Sequence, residues 1–377
     1  MAHGAIRFGV LGPLQMTADG ADVPLGPAKQ RAVLATLLIN RNRAVPIDSL
    51  IDAAWQQCPP PEARASLHAH VSRLRRLVGS AGADAAAVLV SAQPGYRLNV
   101  PDEACDFGRF AIERRAGIQA ATAGRFDEAS GHLAAALAEW RGPVLEDLRD
   151  FGFVDVFAAA LNEDKLVTLT ARAEAEIACG RTHSVIAELE ALVAEHPYRE
   201  PLWAQLITAY YLAERQYDAL DAYGRLKTTL ADDLGIDPGP TLRGLHQRIL
   251  RQEPLDVESA ARATAKRAAA TLRRPAGGSR ESAVAHLCDA AGGRHPLRGE
   301  ATRIGRLSDN DIVIDDDTVS RYHAVIVDTG NSFVITDLQS ANGVDVAGQR
   351  IRISATLADG DRICICGHEF TFEIDER

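Results

Sequence analysis

The chain has 377 residues, 46% of them hydrophobic and 5% aromatic, with a net charge of −10 at neutral pH. A single core rarely grows beyond ~250 residues, so two or three domains are expected, and scarce aromatics beside abundant Ala favour helices packed through small contacts. No run of ~18 apolar residues occurs, and MAHGAIRFGV has no basic segment leading into a long apolar stretch; this argues against membrane insertion and a secretory signal, and the expected location is the cytoplasm.

The first ~25 residues alternate in short strand-like pieces, with Ile6, Phe8 and Val10 on one face. A helix starts at about Pro27, with Val33, Leu34, Leu37 and Leu38 on its apolar face, and a second runs from about Asp48 to Trp55. Pro59-Pro60-Pro61 breaks the chain before a helix from Glu62 to Val78, where Leu67, Val71, Leu74, Leu77 and Val78 recur at helical spacing. Val88-Leu89-Val90, a Pro94-Gly95 turn and Tyr96-Arg97-Leu98 then read as a hairpin. Helix, breaker, Arg-rich helix and hairpin make a helix-turn-helix with a wing. The reading helix offers Arg64, Ser66, His68, His70, Arg73 and Arg76 opposite its apolar stripe, and the wing offers Arg97, all able to reach phosphates or base edges. An ordinary solvated basic face is the competing reading, and the surrounding elements decide against it. The total charge argues against a nucleic-acid partner, but residues 1–104 carry ten Lys/Arg and eight Asp/Glu, and Pro60 to Ser80 carries four Arg and one Glu. Screening confines such a local field to ~8–10 Å, so a basic helix works on an acidic chain. His68 and His70 point ~200° apart on a helix and do not suit one metal ion. Arg64, His70, Leu74, Arg75, Gly95, Tyr96 and Arg97 match the winged helix of OmpR-type response regulators, which this segment resembles. The resemblance implies double-stranded promoter DNA as a partner.

From Cys105 to Leu250 the chain reads as helical. Gly180-Arg181 and Glu214-Arg215 lie 34 residues apart, the period of the tetratricopeptide repeat, and Gly124-Arg125-Phe126 opens a similar unit. Trp140, Trp203 and Tyr210-Tyr211 are expected to pack between repeats. GPVLEDL at Gly142 to Leu148 and LGIDPGPTLRGLHQRIL at Leu234 to Leu250 resemble the bacterial transcriptional activation domain of the Streptomyces antibiotic regulatory proteins, where it directly follows a winged helix. GPAKQ at Gly26 lacks phosphate-loop spacing, so no nucleotide cofactor is expected. Residues 254–282, rich in Ala, Arg and Gly, read as a linker carrying few contacts. The six cysteines lack metal-ligand spacing and are expected to be free buried thiols, with Cys364 and Cys366 on one face of a strand.

From about Val284 short β-rich runs alternate with Gly, Asn and Asp, the texture of an all-β sandwich. Gly305-Arg306, Ser320-Arg321-Tyr322-His323 and Ser340-Ala341-Asn342-Gly343 follow in order. A phosphate dianion wants a guanidinium fork and hydroxyl or backbone donors, and an Asn amide can orient a peptide backbone. These motifs resemble the forkhead-associated (FHA) family. The resemblance implies that Arg306, Ser320 and Arg321 bind phosphothreonine, that Asn342 holds the peptide, and that Gly305, His323, Ser340 and Gly343 shape the loops. Ala341 stands where many members carry Ser or Thr, so one hydroxyl contact is missing. Asp315-Asp316-Asp317 reads as capping a solvated loop.

The expected architecture is multidomain α+β: a winged helix at 1–104, an all-α repeat-like domain at 105–253, a linker at 254–282 and an FHA sandwich at 283–377. The three-part order resembles a mycobacterial branch of the same regulator family. It implies a phosphorylated Ser/Thr kinase as partner, RNA polymerase as a further candidate, and promoters of cell-wall arabinan synthesis genes as targets. No catalytic set stands out, so the chain is read as a transcription regulator rather than an enzyme. The alternative is a phosphothreonine adaptor that sequesters a kinase.

Overall fold

The computed structural model describes residues 6–56, 59–271, 285–290, 292–297, 301–307, 310–328, 332–338 and 340–374. Two compact units emerge: one joins Met1–Ile112, Ala138–Lys165 and Ala270–Arg377, and the other joins Glu113–Leu137 and Leu166–Ala269.

In the first unit, β1 (Ile6–Gly9), β2 (Gln15–Ala18) and β3 (Ala21–Asp22) form an antiparallel sheet in sequence order. The helices α1 (Ala28–Ile39), α2 (Ile47–Trp55) and α3 (Ala63–Ser80) follow, with β4 (Ala44–Pro46) between the first two. After the short α4 (Ala85–Val88), β5 (Leu89–Ala92) and β6 (Gly95–Leu98) form the expected hairpin. Its outer partner β4, too short to stand out in the sequence, pairs with β6. Val33, Leu34, Leu37 and Leu38 of α1 and Leu67, Val71, Leu74 and Val78 of α3 are buried together with Leu50 and Ala54 of α2, as their spacing requires.

The start of α5 (Asp106–Thr122) belongs to this unit and carries an unforeseen buried carboxylate. Asp106 accepts backbone N–H groups from Val10 at 2.8 Å, Leu11 at 2.9 Å and Phe107 at 2.7 Å, and Arg141 donates to it at 3.1 Å. The GPVLEDL segment packs here too: Leu145 is fully buried, with its N–H on the Val10 carbonyl, and Asp147 accepts from the Leu14 N–H.

In the second unit, the remainder of α5 precedes α6 (Phe126–Ala138), and the latter part of α7 (Phe153–Ala178) precedes α8 (Thr182–Glu195), α9 (Glu200–Leu212), α10 (Gln216–Leu234), α11 (Pro240–Leu250) and α12 (Val257–Thr271). The repeat hinges share one device. Gly124, Gly180 and Glu214 adopt left-handed φ values of 77°, 76° and 60°. The following Arg125, Arg181 and Arg215 each return their N–H to the carbonyl five residues back, closing the helix end. Trp203 and Tyr210 are buried in the core of α8 to α10.

Residues 257–271 correct the linker expectation. They form α12, whose Ala261 and Ala265 pack with Ala120, Ala121, Phe126, Ala129 and Ala175. A stripe of Ala four residues apart buries little area per residue, so it carries weak periodicity, yet it lets helices approach closely. Residues 272–282 of the expected linker lie outside the described residues.

Glu176 anchors one hinge. It accepts from the Ser130 hydroxyl, from Arg181 at 2.8 and 3.0 Å and from Ser184 at 3.2 Å. Chiefly through Arg181, its carboxyl falls from 4.5 to about 2. A carboxylate held below its unfolded value stabilises the fold above that value and loses the effect as pH falls toward the folded one. Glu176→Gln is therefore expected to cost about 2 kcal/mol near neutral pH. The gap between the thermal midpoints of variant and wild type should close on acidification through the window from 4.5 to about 2; a gap independent of pH would refute the assignment.

The C-terminal strands, in the first unit, are β7 (Ala285–Asp289), β8 (Arg294–Pro296), β9 (Ala301–Gly305), β10 (Ile312–Val313), β11 (Ala324–Asp328), β12 (Phe333–Asp337), β13 (Val344–Val346), β14 (Gln349–Arg350), β15 (Ser354–Leu357), β16 (Arg362–Ile365) and β17 (His368–Ile374). One sheet runs β10-β9-β11-β12-β15 and the other β14-β13-β16-β17-β7-β8. Ile304, Ile326, Phe333 and Ile335 of the first face Leu287, Ile363, Ile365 and Phe372 of the second. The opposite face of β11 and β12 is apolar as well. Val325, Val327 and Val334 pack with Ala160 of α7, and the buried Ser332 hydroxyl donates to Asp164 of the same helix at 2.8 Å. The sandwich is thus not the weakly attached module expected from the linker.

Cysteine placement also departs from expectation. Cys105 is fully buried, and that burial pushes its thiol up to about 12, whereas Cys179, Cys288, Cys364 and Cys366 are half-buried. Cys366 leaves the strand for the turn between β16 and β17, with φ 50°, so it does not share a strand face with Cys364.

Candidate functional site

Helix α3 presents Arg73 and Arg76 exposed, one turn apart, with Ser72 exposed beside them. Ser72 was not singled out from the sequence, though its place next to Arg73 puts it on the same outward arc. Arg64 is exposed near the start of the helix and pairs with Asp48 of α2 at 3.3 Å, and Ser66 is half-buried.

The two histidines correct the expected face. His70 lies on the apolar stripe, three residues after Leu67 and four before Leu74, and is buried with its ring 5.9 Å from that of Trp55. Burial, then Arg73 and Lys29, lowers its pKa, so a neutral ring is favoured in the core. His68 is exposed but turned to the wing, where Nδ1 lies 2.6 Å from the Tyr96 hydroxyl. Arg75 completes this brace. It donates to the Leu89 carbonyl at 2.9 Å and to the Ser91 hydroxyl at 3.0 Å, with its guanidinium 5.6 Å from the centre of the Tyr96 ring. The Arg75 and Tyr96 positions of the motif therefore hold the wing on the helix. Arg97, on β6, is half-buried on the face opposite Tyr96 and Leu98.

At one end of the sandwich, three loops converge. Arg306 follows β9; its Nε donates to the Val319 carbonyl at 3.3 Å, and Nη1 lies 3.5 Å from Asp317. Gly305 permits a close approach, because a Cβ there would sit 2.4 Å from the Arg321 carbonyl oxygen. Asn310, buried and unforeseen, donates to the Leu307 and Arg321 carbonyls at 2.8 and 2.9 Å and ties the two loops. Ser320 Oγ accepts from the Ala341 N–H at 3.1 Å, which leaves its own proton free to turn toward a ligand. Arg321 is exposed. His323 is fully buried: Nδ1 accepts from the Ser320 N–H at 3.1 Å, so Nε2 carries the proton and donates to the Gly343 carbonyl at 3.0 Å. Ser340 Oγ accepts from the Gly343 N–H at 2.8 Å, and Gly343 adopts φ 66°. Asn342 Nδ2 donates to the Thr318 carbonyl at 2.8 Å.

The acidic run is divided. Asp316 accepts from the Thr318 N–H at 2.7 Å and hydroxyl at 2.6 Å and contacts His368 at 2.9 Å, whereas Asp317 faces Arg306. Thr318 and His368 escaped the sequence reading; His368 lies 52 residues from its partner Asp316. No group of three or more His, Cys, Asp or Glu among the described residues could hold a metal ion, and no helix among them is long and apolar enough to cross a membrane.

Comparison with known proteins places this geometry. Residues 20–98 match a family model described as "Transcriptional regulatory protein, C terminal", residues 105–250 match "Bacterial transcriptional activator domain", and residues 302–366 match "FHA domain". The chain is 64% identical over 370 residues to the transcriptional regulatory protein EmbR of Mycobacterium tuberculosis, covering 98% of this chain and 95% of that one. It is 52% identical over 254 residues to the transcriptional regulatory protein MoaR1 of the same organism, covering 67% of this chain and 82% of that one. A solved structure of Mycobacterium tuberculosis EmbR in complex with a low-affinity phosphopeptide superposes with a TM-score of 0.92 at 62% identity, covering 99% of both chains.

Proposed function

The chain belongs to the EmbR family of transcriptional regulators, and from that premise we propose that it binds promoter DNA through α3 and the wing while its FHA loops dock a phosphothreonine of a Ser/Thr protein kinase. The observation that carries the reading is the convergence of Arg306, Ser320 and Asn342 from three loops onto one end of the sandwich. Arg306 supplies charge to the dianion, Ser320 a hydroxyl donor, Arg321 further positive potential, and Asn342 a contact to the peptide backbone. EmbR, the solved relative, holds a phosphopeptide, which supports the same ligand class here. The working division is 1–104 for DNA, 105–253 for activation and 283–377 for phosphothreonine, with no catalysis of its own and action in the cytoplasm. RNA polymerase is the partner proposed for the activation domain, and the resemblance extends the reading to promoters of cell-wall arabinan synthesis genes.

On DNA, Arg73 and Arg76 reach phosphates or base edges from the exposed arc of α3. Arg73→Ala and Arg76→Ala should each weaken binding and flatten its salt dependence by about one unit for every phosphate left without a cation. His70→Ala should instead lower stability, because the ring belongs to the core. Anisotropy titrations against promoter DNA at several salt concentrations separate these outcomes; unchanged affinity and slope in both Arg variants would displace the reading face. The test of the whole reading is promoter binding by the full chain with and without phosphorylated kinase. Kinase binding with no DNA binding in any condition would leave the adaptor reading in its place.

A further inference from the structure

Asn342 reads the peptide only if its amide is held the right way round, and the structure places an unassigned set of residues around that amide. The tip of the hairpin between β16 and β17 leans on the loop that precedes Ser320. Cys366 Sγ donates to the Thr318 carbonyl at 3.1 Å, and His368 Nε2 lies 2.9 Å from Asp316 Oδ2. The other oxygen of Asp316 accepts both the N–H and the hydroxyl of Thr318, at 2.7 and 2.6 Å. The Thr318 carbonyl in turn accepts Asn342 Nδ2 at 2.8 Å. A continuous hydrogen-bonded path therefore runs from the hairpin through Asp316 and Thr318 to Asn342.

We propose that this hairpin, through His368 and Cys366, is the positioning element for Asn342, and that it makes the site select peptides with a free backbone N–H at the position Asn342 reads. The proposal rests on the phosphothreonine reading above. A carbonyl oxygen only accepts, so its bond with Asn342 fixes which end of the amide faces inward. Nδ2 is committed to the protein, and Oδ1 faces the ligand as an acceptor. Backbone N–H groups are the donors that every peptide position except proline supplies. Without the hairpin's hold the Thr318 carbonyl is free to move, and the amide has no fixed orientation before binding. Arg306 and Ser320 use other atoms of the same loop and its neighbour: Arg306 bonds the Val319 carbonyl and pairs with Asp317, and Ser320 Oγ accepts from the Ala341 N–H.

The test uses the full-length chain and the tightest phosphothreonine peptide recovered from an oriented library. His368→Ala should weaken binding about tenfold, the scale of one hydrogen bond to a charged group. His368→Gln, which keeps a donor at similar reach, should return affinity to within about twofold of wild type. In an Asn342→Ala background, His368→Ala should add nothing, since both substitutions remove one effect. Methylating the peptide backbone nitrogens one at a time should expose a single position that costs wild type about tenfold and costs Asn342→Ala little. Additive losses in the double variant, a Gln variant as weak as Ala, or a methyl scan with no such position would each overturn the proposal. A wild-type chain that binds no phosphothreonine peptide would overturn the underlying reading, a result distinct from these.

Discussion

Arg306→Ala is expected to weaken binding of a phosphothreonine peptide by about thirtyfold or more, the largest single loss at the phosphate end. The guanidinium is held in place rather than consumed. Its Nε leans on the Val319 carbonyl at 3.3 Å, and its ion pair with Asp317 is long, at 3.5 Å, with a fully exposed partner. An exposed pair of that kind contributes little, so Asp317 yields readily to a dianion. A charge-assisted bond to phosphate is worth about 1.5–3 kcal/mol, and truncation removes it without leaving a substitute. Arg306→Lys should fall between, because an ammonium keeps the charge but not the fork. Ser320→Ala should lose binding too, and it also removes the acceptor of the Ala341 N–H. Ala341→Ser should gain up to about 1 kcal/mol if the new hydroxyl turns to the phosphate. Calorimetry with one phosphopeptide and its unphosphorylated counterpart measures the series. Equal affinity of wild type and Arg306→Ala would remove the phosphothreonine reading.

The second large effect is on stability. Asp106→Ala should cost about 4 kcal/mol, within the range for breaking a buried charged pair and a large share of the 5–15 kcal/mol that holds typical domains. The substitution strands the N–H groups of Val10, Leu11 and Phe107 in a site where Asp106 itself is 2% exposed, and it leaves Arg141 without its carboxylate. Each buried donor left unmade costs about 1–3 kcal/mol, reduced where water enters. Asp106→Asn should be milder, because it retains one carbonyl acceptor. Burial also pushes the Asp106 carboxyl up, despite the Val10 and Leu11 donors, so a neutral isostere gives up less than truncation does. Denaturant midpoints of the three proteins at one pH measure the order; an Ala variant within 1 kcal/mol of wild type, on the scale of an ordinary hydrogen bond, would show that the carboxylate is dispensable.

Motifs made of neighbouring residues were legible from the chain alone. The hinges Gly180-Arg181 and Glu214-Arg215 stood out by their 34-residue spacing and Gly124-Arg125 by its likeness to them, and the structure adds the left-handed residue that ends each helix. The stripe from Leu67 to Val78 fixed the buried side of α3 by periodicity, and short β-rich runs separated by Gly, Asn and Asp signalled a sandwich. Arg306, Ser320 and Asn342 stood out because each sits in a short run whose spacing the loops preserve. His70 falls inside rather than outside because one helical stripe is wide enough to take a polar ring beside its apolar residues, and its tilted contact with the Trp55 ring forms only when α2 and α3 pack.

What the sequence determined by itself was therefore most of the element order, the three family motifs and the loops that carry Arg306, Ser320 and Asn342, all set by backbone preference and side-chain period over short stretches. Tertiary structure alone decided which distant groups complete one another. Asp106 finds Val10 across 96 residues, Ser332 finds Asp164 across 168, and His368 reaches Asp316 across 52. No periodicity records such pairs, because each depends on how folded elements stack. The alanine stripe of α12 became a packed helix, where a linker was expected, for the same reason: its small side chains find their neighbours only when Phe126 and the alanines of α5, α6 and α7 are already in place.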